Sequence, residues 1–156
     1  SYLWTLEGWL YLAVVMDLYS RKIVGWALSS SLKTPLVKEA LNMAYWQRKP
    51  VKGLTHHSDR GSQYASYDYQ DLLNAYGMQC SMSRKGDCWD NAVVESFFSS
   101  LKTERTDDVV YRNRDEARRD VVDYIEMFYN SNRLHSYLGY KTPNEFERNS
   151  ELAKAA

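Results

Sequence analysis

The sequence has little cysteine, no excess charge of either sign and no long apolar run, and each shortage excludes a class of protein. Its two cysteines, Cys80 and Cys88, are too few for a disulfide framework and lack metal-site spacing, which favours free thiols in a reducing cytosol. The apolar run from Leu10 to Met16 is far short of the roughly 20 residues that span a bilayer. No basic and then apolar start resembles a signal peptide. We therefore expect neither a membrane protein nor a secreted miniprotein.

Lys plus Arg and Asp plus Glu number 20 each, so the net charge is zero and no global field attracts nucleic acid. Any DNA-binding surface must then come from local segregation of charge. The length of 156 residues and the 44% of hydrophobic residues are typical of one soluble globular domain. The one excess is aromatic, with 13 Tyr and 5 Trp, which suit a core, an interface or nucleic-acid stacking.

The order of the predicted elements indicates a mixed α/β domain. The apolar segment from Trp9 to Asp17 is typical of a strand that is covered on both faces. A strand from Ile23 to Leu28 follows a turn, and Ser1 to Thr5 reads as the end of a preceding strand, so the three form an antiparallel meander. Two further strands are expected over residues 54–58 and 78–81.

Helical spacing predicts the other elements. Helices are expected from Thr34, over residues 69–76, from Asp90, from Arg114 to Asn130 and, shorter, after Pro143. Together these elements describe a five-stranded mixed sheet, an antiparallel meander plus parallel strands, with helices on both faces. That order fits a ribonuclease-H-like fold.

Asp59 and Glu95 are the two candidate catalytic carboxylates. Asp59 closes a predicted strand and precedes Gly61 by two residues, so it is either a turn residue or a ligand at the sheet edge. Glu95 lies beside the predicted buried stripe of its helix, where a solvated face is the plainer interpretation. If the strand end and the helix meet, the paired carboxylates suit a hard cation such as Mg²⁺ or Mn²⁺. Two such ions assist phosphoryl transfer.

Four stretches resemble the catalytic core of bacterial insertion-sequence transposases, which are related to retroviral integrases and belong to the Asp-Asp-Glu superfamily. The stretches are EGWLYLAVVMDLYSRKIVGW at 7–26, HHSDRGSQY at 56–64, KGDCWDNAVVESFFSSLKTE at 85–104 and YNSNRLHSYLGYKTPNEF at 129–146. They are spread over nearly the whole chain. The 35 residues between Asp59 and Glu95, together with the order of the stretches, make this similarity specific.

The resemblance implies an Asp-Asp-Glu polynucleotidyl transferase that carries out metal-dependent cleavage and strand transfer in DNA transposition. Asp59 and Glu95 would be its second and third metal-binding carboxylates. The first Asp of the family falls roughly two positions before Ser1, so we expect the sequence given to lack it and to be impaired. Asp17 is no substitute, because the resemblance places it in the turn after the second strand, where we expect it to bond that turn or Arg21.

The resemblance also implies partners and domain limits. We expect DNA (element ends and target), a homo-oligomer in the DNA complex and a place in the bacterial cytoplasm with the nucleoid, with no membrane and no small-molecule substrate. The integrase-type core would occupy residues 1–130, with its first strand truncated, and a C-terminal tail over 131–156 would pack on it.

Weaker signals concern DNA contacts and the tail. Three basic residues are candidate phosphate contacts. Lys102 follows Glu95 by seven residues, and Arg84 and Lys85 lie in the predicted loop before the helix of Glu95. His56 and His57 alternate across a strand, so at most one faces the site, and packed histidines are the plainer interpretation. The stretch at 129–146, called the tail motif below, predicts no mechanism beyond folding onto the core or contacting DNA. Its characteristic residues are Asn130, Arg133, His135 and Pro143.

Two other functions remain open. A ribonuclease H or junction resolvase shares the expected fold, although the tail motif is foreign to both. A non-catalytic assembly or DNA-binding module of the transposase would use the many aromatic side chains as an interface.

Overall fold

The computed structural model describes residues 1–82 and 92–155. Five strands fall at Tyr2–Thr5 (β1), Gly8–Met16 (β2), Ile23–Ser29 (β3), Thr55–Ser58 (β4) and Gln79–Met82 (β5). β1, β2 and β3 form the predicted antiparallel meander, and β4 pairs with β5 in parallel, so the five strands and their mixed orientation are confirmed.

The strands hydrogen-bond as two sheets rather than one. In the described residues, β1 pairs with β2 on one edge, while its other edge meets Tyr111, whose carbonyl accepts a hydrogen bond from Leu6 N (3.0 Å). Among the described residues, β4 pairs only with β5, and residues of β2 and β4 line the same cavity.

Six α-helices pack around the strands within residues 1–82 and 92–155. They span Thr34–Arg48 (α1), Ser62–Ala65 (α2), Tyr67–Ala75 (α3), Ala92–Leu101 (α4), Arg114–Asp123 (α5) and Pro143–Ala155 (α6). Two π-helical segments, Lys102–Thr106 and Tyr124–Tyr129, continue α4 and α5, which periodicity had not predicted. No helix within residues 1–82 or 92–155 has the length and apolar character needed to cross a membrane.

The meander separates two hydrophobic cores, because alternate residues of each strand point to opposite faces. On one face, Leu10 and Leu12 pack with α4 and α5 around Phe97. On the other, Ala13 and Ala27 pack with α1 and α3. Helices on both faces, as expected, are thus confirmed.

The C-terminal segment contacts the core at several points. The buried Asn130 side chain accepts a hydrogen bond from Ile23 N (2.9 Å) and donates one to Ile23 O (3.0 Å). In α6, Glu147 accepts a hydrogen bond from Ser20 Oγ (2.8 Å) and contacts Arg48. The division at residue 130 into core and tail stays a prediction.

Candidate active site

Asp59 lies directly after β4, and a local turn orients its carboxylate. Its Oδ1 accepts a hydrogen bond from Gly61 N (2.7 Å), while Ser58 before it is buried. A Cβ at Gly61 would come within 2.9 Å of that oxygen, so a larger residue here would displace the Asp59 carboxylate. The strand anchors the backbone, and the Asp59 side chain is exposed to solvent.

Glu95 lies in the first turn of α4 with its side chain exposed. The same helix buries Phe97 and Leu101 in the core, where the Phe97 ring meets the Tyr129 ring edge-on at 4.9 Å. These two anchors fix the rotation of α4 about its axis, and Glu95 therefore stays on the face beside the core.

Both carboxylates line one cavity of about 640 Å³ between β2 and β4. Its walls are largely apolar and include Val14, Val94 and Phe98. The structure thus brings together the two residues that the sequence predicts to act together.

Lys102 lies beside the same cavity. It shares a groove with Glu95 and Tyr2, and its Nζ lies 5.7 Å from the centroid of the Tyr2 ring. Burial, and then the charge of Lys102, lower the pKa of the Ser1 ammonium, while Asp59 acts in the opposite direction. The start of β1 therefore lies within the electrostatic reach of Lys102 and of Asp59.

The two histidines of β4 are packed by hydrogen bonds, as the plainer interpretation predicts. His56 Nε2 pairs with the Tyr69 hydroxyl (2.8 Å), and His57 Nδ1 pairs with Ser81 Oγ (3.0 Å). Burial lowers the pKa of His56 to about 4. Both residues nevertheless line the cavity, where strand alternation predicted at most one, because the cavity extends along the edge of β4 and not only above one face.

Asp17 has the structural role that the sequence predicts, with a different cationic partner. Its Oδ1 accepts a hydrogen bond from Tyr19 N (2.9 Å), which closes the turn after β2. Its carboxylate lies 3.6 Å from Arg48, not against Arg21. Arg21 has a positive φ of 63° and instead stacks on the Tyr137 ring, which points its side chain towards the tail.

Residues of the tail motif form hydrogen bonds with the helix that carries Glu95 and with its π-helical continuation. Arg133 Nε donates to both carboxylate oxygens of Glu104 (2.6 and 2.9 Å), in the π-helical continuation of α4. The Tyr124 hydroxyl donates to the same carboxylate (3.0 Å), and Arg133 also reaches Ser100 Oγ (3.3 Å). His135 packs edge-on against Tyr129 at 4.9 Å. For these residues, packing on the core is the role that the structure shows.

Tyr64 is a cavity residue to which the sequence assigned no role. Burial, and then the charge of Asp59, raise its pKa to about 12, so its hydroxyl stays protonated near neutral pH. The sequence signal was its place at the end of the stretch HHSDRGSQY, five residues after Asp59. The predicted DNA contacts Arg84 and Lys85 lie outside the described residues, as does Asn91.

No group of three or more His, Cys, Asp or Glu side chains in the described ranges 1–82 and 92–155 is arranged to hold a metal ion. Three carboxylates of these ranges line the cavity, those of Asp17, Asp59 and Glu95, and Asp17 is engaged by the turn after β2 and by Arg48. Two carboxylates are enough for Mg²⁺, which commonly takes one or two from the protein and completes its shell with water and substrate phosphate.

Comparison with curated proteins finds close relatives. The chain is 47% identical over 148 residues to the transposase for insertion sequence element IS904 of Lactococcus lactis, covering 95% of this chain and 58% of the relative. It is 48% identical over 153 residues to transposase InsF for insertion sequence IS3A of Escherichia coli K12, covering 98% and 53%. The chain thus spans about half the length of these curated relatives.

Solved structures share the fold. The catalytic core domain of BIV integrase superimposes with a TM-score of 0.63 at 19% identity, covering all of this chain and 95% of that one. The HTLV-2 integrase catalytic core domain in complex with magnesium gives 0.61 at 13% identity, covering 94% and 90%. These likenesses support the ribonuclease-H-like architecture.

Family models described as integrase core domain match residues 2–88 and 76–143, which together include Asp59, Glu95 and Lys102. The first model alone covers more than half of the chain. The chain belongs to the integrase core domain family.

Proposed function

We propose that this chain is the catalytic domain of a DNA transposase, in which Asp59 and Glu95 bind divalent cations for phosphodiester cleavage and strand transfer. The observation that carries the proposal is that a strand end and a helix direct these two carboxylates to one cavity. Membership of the integrase core family and the transposase relatives support it.

The residues present fit Mg²⁺ or Mn²⁺. Both carboxylates are exposed, so water and a substrate phosphate have access to complete the coordination shell. The integrase neighbour in complex with magnesium has the same fold. When bound, such ions would activate the attacking oxygen and stabilise the leaving oxygen of an in-line displacement.

The protein groups around the carboxylates have separate tasks in this proposal. The turn at Gly61 holds Asp59 in one orientation. Lys102, beside Glu95, pairs with a DNA phosphate, for which lysine is a common contact. Tyr64 stays protonated and offers a hydroxyl hydrogen bond into the cavity rather than a negative charge.

The first carboxylate and the partners are finer parts of the proposal. On the family resemblance, the first Asp lies roughly two positions before Ser1, so residues 1–156 alone would bind metal weakly and catalyse poorly. The same resemblance supports Arg84 and Lys85 as contacts to DNA, a multimer that pairs element ends and a cytoplasmic place at the nucleoid.

Strand transfer with Mg²⁺ on pre-cleaved element ends tests the proposal. The proteins compared are the chain as given, a version extended upstream through the expected Asp, and that extended version with Glu95→Gln. We expect activity in the extended protein and a loss of at least about 100-fold in Glu95→Gln, since removing a metal ligand removes charge stabilisation of the transition state.

Glu145→Gln in the extended protein is the matched control, because Glu145 is also an exposed Glu in the first turn of a helix but lies in α6. It should keep full activity. Equal activity in Glu95→Gln would contradict the proposed mechanism and favour the assembly module or a site elsewhere. Robust Mg²⁺-dependent nicking by residues 1–156 alone would contradict the proposed impairment.

A further inference from the structure

Four aromatic side chains form a cluster on one face of the β1–β2 hairpin. The cross-strand pairs are Tyr2 with Tyr11 and Trp4 with Trp9, which the antiparallel register sets opposite each other. The Trp4 and Trp9 rings meet edge-on at 4.8 Å, and the Tyr2 and Trp9 rings do so at 5.0 Å. These four residues are called the aromatic face below.

The aromatic face is exposed although the same sheet is covered nearby. Tyr2 and Trp4 are each 54% exposed and Trp9 is 43% exposed. Further along the sheet, α1 covers this side so closely that a Cβ at Gly25 would lie 2.2 Å from the Ala40 carbonyl. Tyr11 packs partly against the core on this side, whereas the rings of Tyr2, Trp4 and Trp9 are left in solvent. A cluster of exposed rings of this kind marks a binding surface more often than scattered apolar residues do.

The aromatic face adjoins the candidate active site. Tyr2 belongs to the face and also lines the groove that contains Glu95 and Lys102. The Lys102 ammonium lies over the Tyr2 ring, which places a cation where the rings meet the carboxylates. A cation followed by a row of exposed rings is the arrangement that binds single-stranded nucleic acid, with phosphate at the cation and bases on the rings.

We propose that the aromatic face stacks unpaired bases of a DNA strand whose phosphate pairs with Lys102 beside the candidate active site. This inference rests on the proposed function and extends it, since it gives the site a place for the bases as well as for the phosphate. A second copy of the chain fits the face less well. Rings of about 150–250 Å² each, roughly half exposed, offer only about 300 Å² from Tyr2, Trp4 and Trp9. A standard interface needs about 800 Å² per partner.

Binding of a fluorescent 12-nucleotide oligothymidine to residues 1–156, in EDTA and at low salt, tests the stacking. The variant Trp4→Thr/Trp9→Thr keeps residues that favour strands. We expect its Kd to rise about tenfold or more. Trp46→Gln is the control, because Trp46 is 65% exposed on α1 and lies outside the aromatic face. Its Kd should stay unchanged, and circular dichroism melts verify that each variant is folded.

An abasic oligonucleotide of the same length separates base stacking from phosphate binding. It should bind the unaltered chain about tenfold more weakly than oligothymidine does, and the double Trp variant should no longer discriminate between the two. Lys102→Ala should weaken both probes alike and reduce the salt dependence, because it removes a phosphate contact.

Equal binding of the two probes by the unaltered chain would overturn the inference. Normal binding of oligothymidine by the double Trp variant would also overturn the inference. If sedimentation then showed that this variant had lost self-association, the aromatic face would be assigned to contact with a second copy of the chain. Because these measurements need no metal and no catalysis, they are independent of the strand-transfer result for Glu95→Gln. Failure of that enzymatic test would overturn the proposed function and leave the base-binding result readable by itself.

Discussion

Asn130 bonds to β3 as a neighbouring strand would. Its side-chain amide carries one acceptor and one donor, which match the N–H and the carbonyl of Ile23. Both residues are 2% exposed, so water cannot replace the amide. A buried backbone group without a partner costs about 1–3 kcal/mol. The asparagine of the tail motif is thus a structural residue that completes the hydrogen bonding at the start of β3.

Asn130→Ala should lower the free energy of unfolding by about 2–4 kcal/mol, because both polar groups of Ile23 lose their partner. Asn130→Asp should also destabilise, since it loses the donor to the Ile23 carbonyl. Urea unfolding measures the difference, with the exposed Asn149→Ala as the control. A change of less than about 0.5 kcal/mol in Asn130→Ala would contradict this assignment.

His135 makes the stability depend on pH. Burial, and then the charge of Arg133, lower its pKa from 6.5 to about 4, with Arg21 acting in the same direction and Glu104 opposing. Between these two values the unfolded chain binds more protons than the folded chain, so stability is complete above about pH 6.5 and falls as the pH falls towards 4. The side chain packs on Tyr129 in its neutral form.

His135→Phe should flatten the loss of stability between pH 6.5 and 4, because phenylalanine keeps the ring contact and has no proton to bind. The slope of the free energy of unfolding against pH should decrease by up to about 1.4 kcal/mol per pH unit. Urea midpoints at several pH values measure it. Part of the pH dependence of the free energy of unfolding should remain in His135→Phe, because burial also lowers the pKa of His56 to about 4. An unchanged slope would show that His135 titrates normally in the folded chain.

At the scale of elements, the ion pair between Arg133 and Glu104 joins the tail to the end of the helix that bears Glu95. The two side chains are only 27% and 30% exposed, and the Tyr124 hydroxyl completes the cluster. A partly buried, multiply bonded pair is worth more than an exposed one, since water and salt screen it less.

Arg133→Gln should lower the free energy of unfolding by about 1–3 kcal/mol. It should also speed hydrogen exchange in the last turns of α4. Arg112→Gln is the matched control, because the Arg112–Glu116 pair has an 83% exposed arginine and should contribute much less to the free energy of unfolding. Equal effects of the two substitutions would mean that the tail contact adds nothing beyond an ordinary surface pair.

At the scale of the molecule, the cavity separates the two sheets. Residues 14–16 of β2 and the edge of β4 face each other across it, and largely apolar side chains line the space. A segment added before Ser1 would continue β1 into this space, where it could hydrogen-bond to both neighbours. The proposed first Asp belongs to such a segment.

A version of the chain extended upstream by about six residues, through that Asp, should therefore unfold at a higher urea concentration, because burial of apolar surface and new strand pairing both stabilise the fold. It should also bind Mn²⁺ more tightly than residues 1–156 do, by at least about tenfold, since a third carboxylate joins the site. Urea unfolding and calorimetric titration measure the two effects. An extension with the Asp replaced by Asn should keep the first gain and lose the second.

Local patterns in the sequence determined most of the elements. Strand and helix periods predicted β2, β3 and the starts of α1 and α5 to within a residue, because each buries one face or stripe whose spacing is visible in the chain. The 35-residue separation and the surrounding motif singled out Asp59 and Glu95, because the resemblance covers the residues around both. The π-helical continuations of α4 and α5 left no such signal in the periodicity.

Only the tertiary structure decided how distant residues meet. Three contacts join segments that are far apart in the chain. Tyr111 lies at the outer edge of β1, Arg133 bonds to Glu104, and Tyr2 shares a groove with Glu95. Local propensity describes what each segment prefers, whereas such contacts depend on how the helices pack against the two faces of the sheet. The sequence by itself therefore determined the family and most of the elements, and it predicted the two candidate carboxylates. The fold decided that the carboxylates share one cavity and that the aromatic side chains beside it remain exposed.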